Sequence, residues 1–496
     1  MEAKELLKLQ NGSDIRGVAC EGIEGESVNL TPLASNIIAQ SFAAWLSKKC
    51  GKPVESLTVG IGRDSRITGE SLAKAAMEGL SSCGVKVVDC GMATTPAMFM
   101  SIVFPETKFD GSIMITASHL PFNRNGLKFF DKDGGLEHED ITALLEGAAG
   151  LSEKSGPSDF KKFDLISLYA NHLVKTIKEG VNSGEKPLSG LKIVVDAGNG
   201  AGGFFTSKIL DLLGADTKGS QFLEPDGTFP NHIPNPENAK AMESIQSAVL
   251  KNKADLGLIF DTDVDRMSAV LPDGTEVNRD AIIALVAAIL APEYPNSTII
   301  TDSVTSDRLT RFLEKELGLK HHCFKRGYKN VINECKRLNA EGIVSPLAME
   351  TSGHGALKDN FYLDDGAFLA VKIVIALANA KAQGKSLASL IEKLDPLVEA
   401  QEIRYKINCE DFSSYGDKVL AEFKARAEKA GMIMPKSYEG VRISFQSEDK
   451  KGWLLLRKSL HDPVMPLNVE GERPGDAKKI LQVAQELLAG FDKLSL

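Results

Sequence analysis

The chain has 496 residues and a formal net charge of −9, with 43% hydrophobic and 25% charged residues. This length exceeds what one hydrophobic core supports, so we expect several domains, and the composition excludes a disordered or fibrous protein. The net charge is negative and the chain has no block of basic residues, so nucleic acid is not an expected partner. No run of about 18 apolar residues occurs, so a membrane is not an expected partner either.

The N-terminus and the cysteines bear on the cellular compartment. Residues 1–17 include acidic side chains, which secretory and transit peptides avoid. The seven cysteines are irregularly spaced without a CxxC pair, a pattern typical of reduced thiols. We therefore expect a cytoplasmic protein, or one of the plastid stroma if a transit peptide has been removed.

Short apolar runs alternate with longer amphipathic stretches through the first three quarters of the chain. This alternation predicts βαβ units with parallel strands. The predicted strands, each ending in small or polar residues, lie at 57–65, 85–91, 112–118, 192–200, 256–265, 297–304 and 343–355. Open α/β sheets bind ligands at the carboxyl ends of their strands, so we expect the chemistry in the loops that follow.

A polar loop after a buried strand recurs near positions 116, 261 and 350. We therefore predict an α/β protein in which three similar α/β domains with mixed sheets face a central cleft. Alternating strands at 440–459 and an amphipathic helix at 476–494 predict a smaller C-terminal α+β domain. The predicted domains are 1–165, 166–279, 280–395 and 396–496.

The first candidate loop is TASHLPFNRNGLK, after the predicted strand at 112–118. Nearby asparagine and glycine residues allow a tight loop around Ser118, and the absence of a Gly-x-Ser-x-Gly elbow disfavours an acyl-enzyme serine. Ser118 is then either a turn or cap residue, or the carrier of a phosphoryl group made reactive by a metal ion. Lys128 is either a solvated lysine or a general acid or base for a sugar hydroxyl.

The second candidate loop is DTDVDR, in which Asp261, Asp263 and Asp265 alternate after a hydrophobic run. In an extended backbone this spacing directs all three carboxylates to one side, where their repulsion requires a cation and their oxygens suit Mg²⁺. An EF-hand is excluded because Arg266 and Pro272 stand where its loop needs Gly and Glu. A solvated acidic turn, and a phosphatase with Asp261 as nucleophile, are the alternatives.

The third and fourth candidate loops are METSGHG and RKSLHDP. Glu350 and Ser352 can share hydrogen bonds with sugar hydroxyls, and His354 is either a further sugar contact or a structural histidine. The glycines beside His354 favour an exposed backbone. Arg457 offers a planar fork for phosphate, which Ser459 and backbone N–H groups would complete, and a salt bridge at the cleft rim is the alternative.

In this order, the four loops resemble those of the α-D-phosphohexomutase family, and the resemblance covers nearly the whole chain. TASHLPFNRNGLK is similar to the family's phosphoserine loop, DTDVDR to its metal loop, ETSGH to its sugar-binding loop and RKSLHDP to its phosphate-binding loop. The resemblance implies an isomerase that transfers a phosphoryl group within a hexose phosphate. Its cofactors would be one Mg²⁺ per chain and hexose 1,6-bisphosphate as activator and intermediate. Its partners would be small sugar phosphates, and a monomer and a dimer both stay open.

The resemblance also implies roles for individual residues. The residues implied at the reacting phosphate and the sugar hydroxyls are Ser118 as phosphorylated serine, Arg16 and Arg266 beside the phosphate, and Lys128 and His119 for protons. The implied metal ligands are Ser118, Asp261, Asp263 and Asp265. The implied substrate-binding residues are Glu350, Ser352 and His354 for the sugar, and Arg457, Ser459 and His461 for the non-reacting phosphate.

The chain departs from the family pattern most clearly in the phosphate-binding loop. The family commonly reads Ser-Gly-Thr-Glu-Pro, whereas this chain has Ser459, Leu460, His461, Asp462 and Pro463. Loss of the glycine restricts the backbone, and loss of the threonine removes a hydroxyl donor for which His461 is the candidate replacement. We favour a phosphoglucomutase or phosphomannomutase. The alternatives are a phosphoglucosamine mutase and a catalytically weak sugar-phosphate-binding regulatory protein.

Overall fold

The computed structural model describes residues 1–459 and 462–496. The chain divides into two compact units: Met1–Asn278 with Ser352–Ser389, and Arg279–Thr351 with Leu390–Leu496. All seven cysteines are free thiols. Among the described residues, no helix combines the length and the apolar character needed to cross a membrane.

The regular elements follow the chain from end to end. The strands are β1 (Gln10–Asn11), β2 (Asp14–Val18), β3 (Thr58–Arg63), β4 (Lys86–Met92), β5 (Gly111–Ile115), β6 (Arg124–Asp131), β7 (Gly134–Gly135), β8 (Lys161–Lys162), β9 (Ile193–Asp196), β10 (Leu256–Phe260), β11 (Met267–Val270), β12 (Glu276–Val277), β13 (Thr298–Thr301), β14 (Lys320–Cys323), β15 (Leu347–Met349), β16 (Gly355–Leu357), β17 (Leu363–Asp364), β18 (Glu399–Ile407), β19 (Val441–Gln446), β20 (Lys451–Leu456), β21 (Val464–Gly471) and β22 (Leu494–Ser495). The α-helices are α1 (Ala3–Leu7), α2 (Pro32–Cys50), α3 (Gly69–Ser82), α4 (Thr95–Val103), α5 (His138–Ala148), α6 (Leu165–Val181), α7 (Ala239–Asn252), α8 (Arg279–Leu290), α9 (Asp307–Arg311), α10 (Tyr328–Ala340), α11 (Gly366–Ala382), α12 (Phe412–Lys429) and α13 (Asp476–Leu487).

Helix α2 illustrates how local sequence sets the boundaries of these elements. The Thr31 hydroxyl accepts a hydrogen bond from the Ala34 amide at 3.2 Å, and Pro32 takes the first helical position, where its missing N–H costs nothing. The helix ends at Gly51, whose φ of +64° is the left-handed conformation of a glycine C-cap.

Two mixed sheets lie in the first unit. The larger has the order β1-β2-β6-β5-β3-β4-β8, with β3 parallel to β4 and β5 and with β6 antiparallel to β5. The smaller has the order β12-β11-β10-β9, with only β9 and β10 parallel. Strands β5 and β10 are buried along their whole length, which is typical of central strands in α/β sheets. The prediction of mixed sheets is confirmed.

Strand β6 replaces part of the predicted loop after Ser118. The loop ends at Asn123, and the next residues pair with β5 so that Lys128 lies opposite Met114. The apolar side chains of Leu127 and Phe129 are buried in the first unit's core, which favours a strand. The polar residues interleaved with them obscured this pattern in the sequence.

The second unit contains the parallel strands β14, β13 and β15, in that spatial order. Its C-terminal sheet is antiparallel, with the order β19-β20-β21-β18-β22. Helix α13 buries Ala477, Ile480, Ala484 and Leu487, which recur at helical spacing and pack in the same core as the sheet. The predicted C-terminal α+β domain is confirmed.

A buried hydrogen bond joins α6 to the start of α11, and its loss gives a test of the fold. The Tyr169 hydroxyl donates to Asp365 Oδ1 at 2.6 Å, and burial raises the pKa of Asp365 to about 6. Tyr169→Phe removes a donor from a buried carboxylate, and we expect a loss of about 1–3 kcal/mol in unfolding free energy. The loss should be larger at pH 8 than at pH 5, because only the ionised carboxylate requires the donor.

Thermal unfolding at both pH values measures this effect. Tyr415→Phe is the matched control, since the half-buried Tyr415 hydroxyl accepts from the Lys493 amide at 3.3 Å rather than donating to a buried carboxylate. Equal melting temperatures for the two variants at pH 8 would contradict the prediction.

Candidate active site

Ser118 lies in the turn after β5, with its side chain buried and its backbone at a φ of +51°. A left-handed backbone at a residue other than glycine costs on the order of 1–3 kcal/mol, and Ser118 is one of twelve such residues in the described part of the chain. The Ser118 amide donates to the Thr116 hydroxyl at 2.9 Å. The Ser118 hydroxyl donates to Asp261 Oδ2 at 3.0 Å, so the first and second candidate loops meet at this atom.

The carboxylates of Asp261, Asp263 and Asp265 are buried and lie within 4.8 Å of one another. The extended backbone from which we predicted this cluster is wrong, because residues 262–265 form a turn. Val264 carries a φ of +66°, an unusual conformation for a β-branched residue. The three carboxylates therefore converge through a strained turn rather than along a strand.

Neighbouring side chains bind the acidic cluster on one side. Lys128 Nζ donates to Asp263 Oδ2 at 3.1 Å and to Asp265 Oδ2 at 2.5 Å. Thr95, at the start of α4, donates its hydroxyl to Asp263 Oδ2 at 2.5 Å and its amide to the Asp263 carbonyl at 2.9 Å. The Arg266 amide donates to Asp261 Oδ1 at 3.2 Å.

The remaining charge of the cluster fits a divalent cation. Burial, together with the negative charges of Asp265 and Asp263, raises the pKa of Asp261 well above its usual value. In residues 1–459 and 462–496, the buried atoms Asp263 Oδ1 and Asp265 Oδ1 have no hydrogen-bond partner. Buried carboxylate oxygens of this kind are the ligands that Mg²⁺ prefers, so the three aspartates could hold one such ion.

Cations surround the serine loop. His119 Nδ1 lies 3.4 Å from Ser118 Oγ. The positive charge of Arg266, then burial and the charge of Arg16, lower the pKa of His119 to about 2, so its imidazole is neutral at pH 7. Arg16 itself donates to Asp14 Oδ2 at 2.9 Å. The two arginines therefore create a positive potential next to Ser118, as a phosphoryl group there would require.

His354 is buried, which differs from the exposed backbone that we expected from its glycine neighbours. A Cβ added to Gly353 would lie 2.6 Å from the Met267 carbonyl oxygen, so this glycine allows close packing rather than exposure. His354 Nε2 lies 3.1 Å from Arg266 Nε and 3.4 Å from Asp265 Oδ1. Ser352 Oγ lies 3.1 Å from His354 Nδ1, so both residues belong to the first unit's polar cluster.

The other predicted substrate-binding residues belong to the second unit. Glu350 follows β15 and its Oε1 accepts from the Gly327 amide at 2.6 Å. Arg457 follows β20 and is 9% exposed. Ser459 donates its amide to the Val464 carbonyl at 3.0 Å. His461, the candidate replacement for a phosphate donor, lies outside the described residues together with Leu460.

Sequence reasoning missed Arg66, whose fully buried guanidinium holds the serine loop. It donates to the four carbonyl oxygens of Ser118 at 2.5 Å, Leu120 at 2.6 Å, and Pro121 and Arg124 at 2.8 Å each. The available signal was the cation-rich segment GRDSR, residues 62–66, which spans the end of β3. Thr95 was missed too, because the N-cap of α4 is Thr94, whose hydroxyl accepts from the Ala97 amide at 3.2 Å, and Thr95 is only the first helical residue.

Comparison with known proteins decides the family. Three family models match in order: phosphoglucomutase/phosphomannomutase alpha/beta/alpha domain I at 8–153, domain II at 168–274 and domain III at 278–397. The chain is 30% identical over 391 residues to a phosphoglucosamine mutase of Lactobacillus acidophilus, covering 78% of this chain and 81% of that relative. The chain belongs to the α-D-phosphohexomutase family. It is therefore an intramolecular phosphotransferase of the isomerase class.

Further comparisons extend this likeness over the full phosphohexomutase chain. A phosphomannomutase/phosphoglucomutase of Pseudomonas syringae pv. tomato is 29% identical over 473 residues, covering 94% of this chain and 92% of that relative. A crystal structure of a phosphoglucomutase/phosphomannomutase family protein from Burkholderia thailandensis has a TM-score of 0.80 and 26% identity, covering 99% of this chain and 98% of that one. The predicted fold of three similar α/β domains and a C-terminal domain is confirmed, while the four domain boundaries stay a prediction.

Thr95 allows a test of the metal site that does not depend on activity. Thr95→Val removes the hydroxyl that orients the Asp263 carboxylate and keeps the side-chain shape. We expect the dissociation constant for Mn²⁺, measured by electron paramagnetic resonance, to rise roughly tenfold or more, as is usual when a group that orients a metal ligand is lost. Thr206→Val, which removes a buried hydroxyl bonded to the Gly203 carbonyl, is the control. Identical Mn²⁺ affinities for both variants would argue against the site.

Arg66 gives a second prediction for this phosphohexomutase. In Arg66→Lys one ammonium replaces a planar fork that serves four carbonyls, so the serine loop should lose its fixed conformation. We expect faster proteolysis within residues 116–124 and an isomerisation rate at least about tenfold lower, both measured on the purified protein. Arg426→Lys is the control, because Arg426 also donates to backbone carbonyls, those of Leu487 and Ala489, in the second unit. Unchanged proteolysis in Arg66→Lys would refute the role.

Proposed function

We propose that this phosphohexomutase interconverts hexose 1-phosphates and hexose 6-phosphates through a phosphoserine at Ser118 and a bisphosphorylated sugar intermediate. Its substrates would be the phosphates of glucose and mannose, with Mg²⁺ as cofactor and hexose 1,6-bisphosphate as activator. One observation carries the proposal, namely the 3.0 Å hydrogen bond between Ser118 Oγ and Asp261 Oδ2 at a serine with strained backbone. A positive φ also occurs at helix C-caps of this chain, such as Asn182, but Ser118 combines it with burial and with a carboxylate from the second candidate loop.

Each residue of the first unit's cluster then has a part in the transfer. Asp261, Asp263 and Asp265 would hold the Mg²⁺, which when bound offsets their charge and polarises the phosphoryl oxygens. In the first transfer the P–O bond to Ser118 breaks as a bond to the sugar oxygen forms, the sugar hydroxyl gives its proton to a nearby base, and the Ser118 oxygen takes up a proton. In the second transfer the P–O bond between the other phosphate and its sugar oxygen breaks as that phosphorus bonds to Ser118, the Ser118 hydroxyl loses its proton, and the sugar oxygen is protonated.

Lys128 is the favoured group for proton exchange. Its Nζ binds the acidic cluster to which the Ser118 hydroxyl also donates. A group that exchanges a proton with the substrate must lie close to the reacting atoms, and Lys128 meets this requirement. His119 lies near Ser118 as well, but the positive charge of Arg266 lowers the pKa of its imidazole to about 2, which makes it a weak base. His119 then serves as a neutral hydrogen-bonding group, and Arg266 with Arg16 stabilises the phosphoryl charge.

The residues that would bind the sugar and its non-reacting phosphate are those of the third and fourth candidate loops. Glu350, Ser352 and His354 would bind the sugar hydroxyls, and Arg457 and Ser459 the non-reacting phosphate. Because one serine serves both transfers, the bisphosphorylated intermediate must reverse its orientation between them. Glu350, Ser352 and His354 together offer both hydrogen-bond donors and acceptors, which can bind the sugar hydroxyls in either orientation of the intermediate and so support such a reversal.

Phosphoglucosamine mutase is the second candidate function, because the relative from Lactobacillus acidophilus carries that name at 30% identity. It shares the proposed chemistry and differs only at the sugar's second carbon. Parallel assays with glucose, mannose and glucosamine 1-phosphates distinguish the two candidates by the relative kcat/KM values.

The carrier role of Ser118 is tested by Ser118→Ala. We expect isomerisation of the preferred hexose 1-phosphate to fall by at least about four orders of magnitude, since the covalent carrier is lost, while the melting temperature stays near that of the parent. Ser71→Ala, at an exposed position of α3, is the control and should keep the parent rate. Isomerisation by Ser118→Ala at the parent rate would exclude the carrier, and release of free phosphate without an isomeric product would indicate the phosphatase alternative.

A further inference from the structure

Arg326 lies in the turn between β14 and α10, at an edge of the second unit that also carries predicted sugar-binding chemistry. Strands β14, β13 and β15 are parallel neighbours, and Arg326, Asp302 and Glu350 follow their carboxyl ends. Ligands of α/β sheets bind at this edge. The amide of Gly327 donates to Glu350 Oε1 at 2.6 Å, which fixes the Arg326 turn against the sugar-binding glutamate.

A second set of contacts joins the same turn to Arg457. The Arg326 amide donates to Glu439 Oε2 at 3.0 Å, and the Ser303 hydroxyl donates to the same oxygen at 2.5 Å. The next residue, Gly440, packs on Arg457, since a Cβ added to Gly440 would lie 2.9 Å from Arg457 Cα and 3.0 Å from its Cβ. Glu439 therefore contacts the Arg326 turn, and the adjacent Gly440 contacts Arg457.

Arg457 has the surroundings of an arginine that binds an external anion. It is 9% exposed, and its Nε has no hydrogen-bond partner within residues 1–459 and 462–496. Burial and then the positive charge of Arg326 lower the pKa of Arg457. Arg442 on β19 is equally buried, but it donates to Asp307 at 2.8 Å and stacks on Trp453. Among the described residues, Arg457 Nε is therefore a buried donor to which a ligand oxygen could bind.

We propose that Arg326 and Arg457 together bind the non-reacting phosphate of the sugar, which is the phosphate that is not being transferred. This inference rests on the proposed function and adds a specific residue to it. The sequence of the phosphate-binding loop lacks the usual threonine hydroxyl, and a second guanidinium supplies N–H donors in its place. A phosphate dianion between two like-charged guanidinium groups relieves their repulsion and accepts charge-assisted hydrogen bonds from both.

Calorimetric titration of the full-length Ser118→Ala protein with glucose 1-phosphate and Mg²⁺ tests this site without turnover. Adding Arg326→Ala should raise the dissociation constant roughly tenfold or more, because a hydrogen bond to a charged group is lost. Adding Lys325→Ala, which removes an exposed cation from the same turn, should change it less than about twofold. Inorganic phosphate should show the same ranking as a competitor, since the proposed contact is to phosphate alone. Arg326→Gln serves in place of Arg326→Ala if the alanine variant has a lowered melting temperature.

The outcomes separate this inference from the proposed function. Glucose 1-phosphate binding in the Arg326 variant equal to that of the Ser118→Ala parent overturns the role of Arg326, whatever the enzyme's activity. An equal loss in the Lys325 variant also overturns it, because the effect is then one of general charge. Weakened binding only in the Arg326 variant, combined with an intact Ser118 enzyme that forms no isomer, supports the phosphate site and rejects the mutase function.

Discussion

Repulsion among three buried carboxylates is the constraint on which the first unit's site depends. The oxygens of Asp261, Asp263 and Asp265 lie within 4.8 Å of one another, where water screens their charges little. Lys128 and Thr95 offset part of this cost on one side. Among the described residues Asp263 Oδ1 has no hydrogen-bond partner and Asp265 Oδ1 lies 3.4 Å from His354 Nε2, and carboxylate oxygens of this kind fit a divalent cation. The same charge that stabilises the cluster would then act on a phosphoryl group at Ser118.

The position of the serine is imposed by its surroundings rather than by local preference. Ser118 and Val264 both have left-handed backbones, which persist only where neighbouring contacts fix them. Arg66 holds the serine loop through four carbonyl oxygens, and the Asp261 carboxylate accepts a hydrogen bond from the Arg266 amide, which follows the turn at 262–265. A loop free to relax would move the hydroxyl away from the acidic cluster, and the proposed transfer would fail. Buried polar contacts far apart in sequence therefore create the reactive geometry.

The sequence predicted the loops well because each follows a buried strand, as Ser118, Asp261 and Glu350 do. It did not predict the turn at 262–265, because a left-handed valine contradicts the ordinary preference of β-branched residues. Nor did it predict the contacts of Arg66 with the serine loop, because the four carbonyl acceptors lie more than fifty positions away in the chain. Long-range contacts of this kind have no local signature, whereas strand ends and charge spacing do.

Phosphate on Ser118 that turns over during catalysis is the most direct test of this account. The Mg²⁺-loaded protein is incubated with glucose 1,6-bisphosphate, then with excess glucose 1-phosphate, and the peptide containing Ser118 is analysed by mass spectrometry after each step. The account predicts one phosphoryl group on Ser118 after the first step and again after the second, because each cycle that forms glucose 6-phosphate returns a phosphoryl group to the serine. An unmodified Ser118 peptide from a protein that still produces glucose 6-phosphate would contradict it.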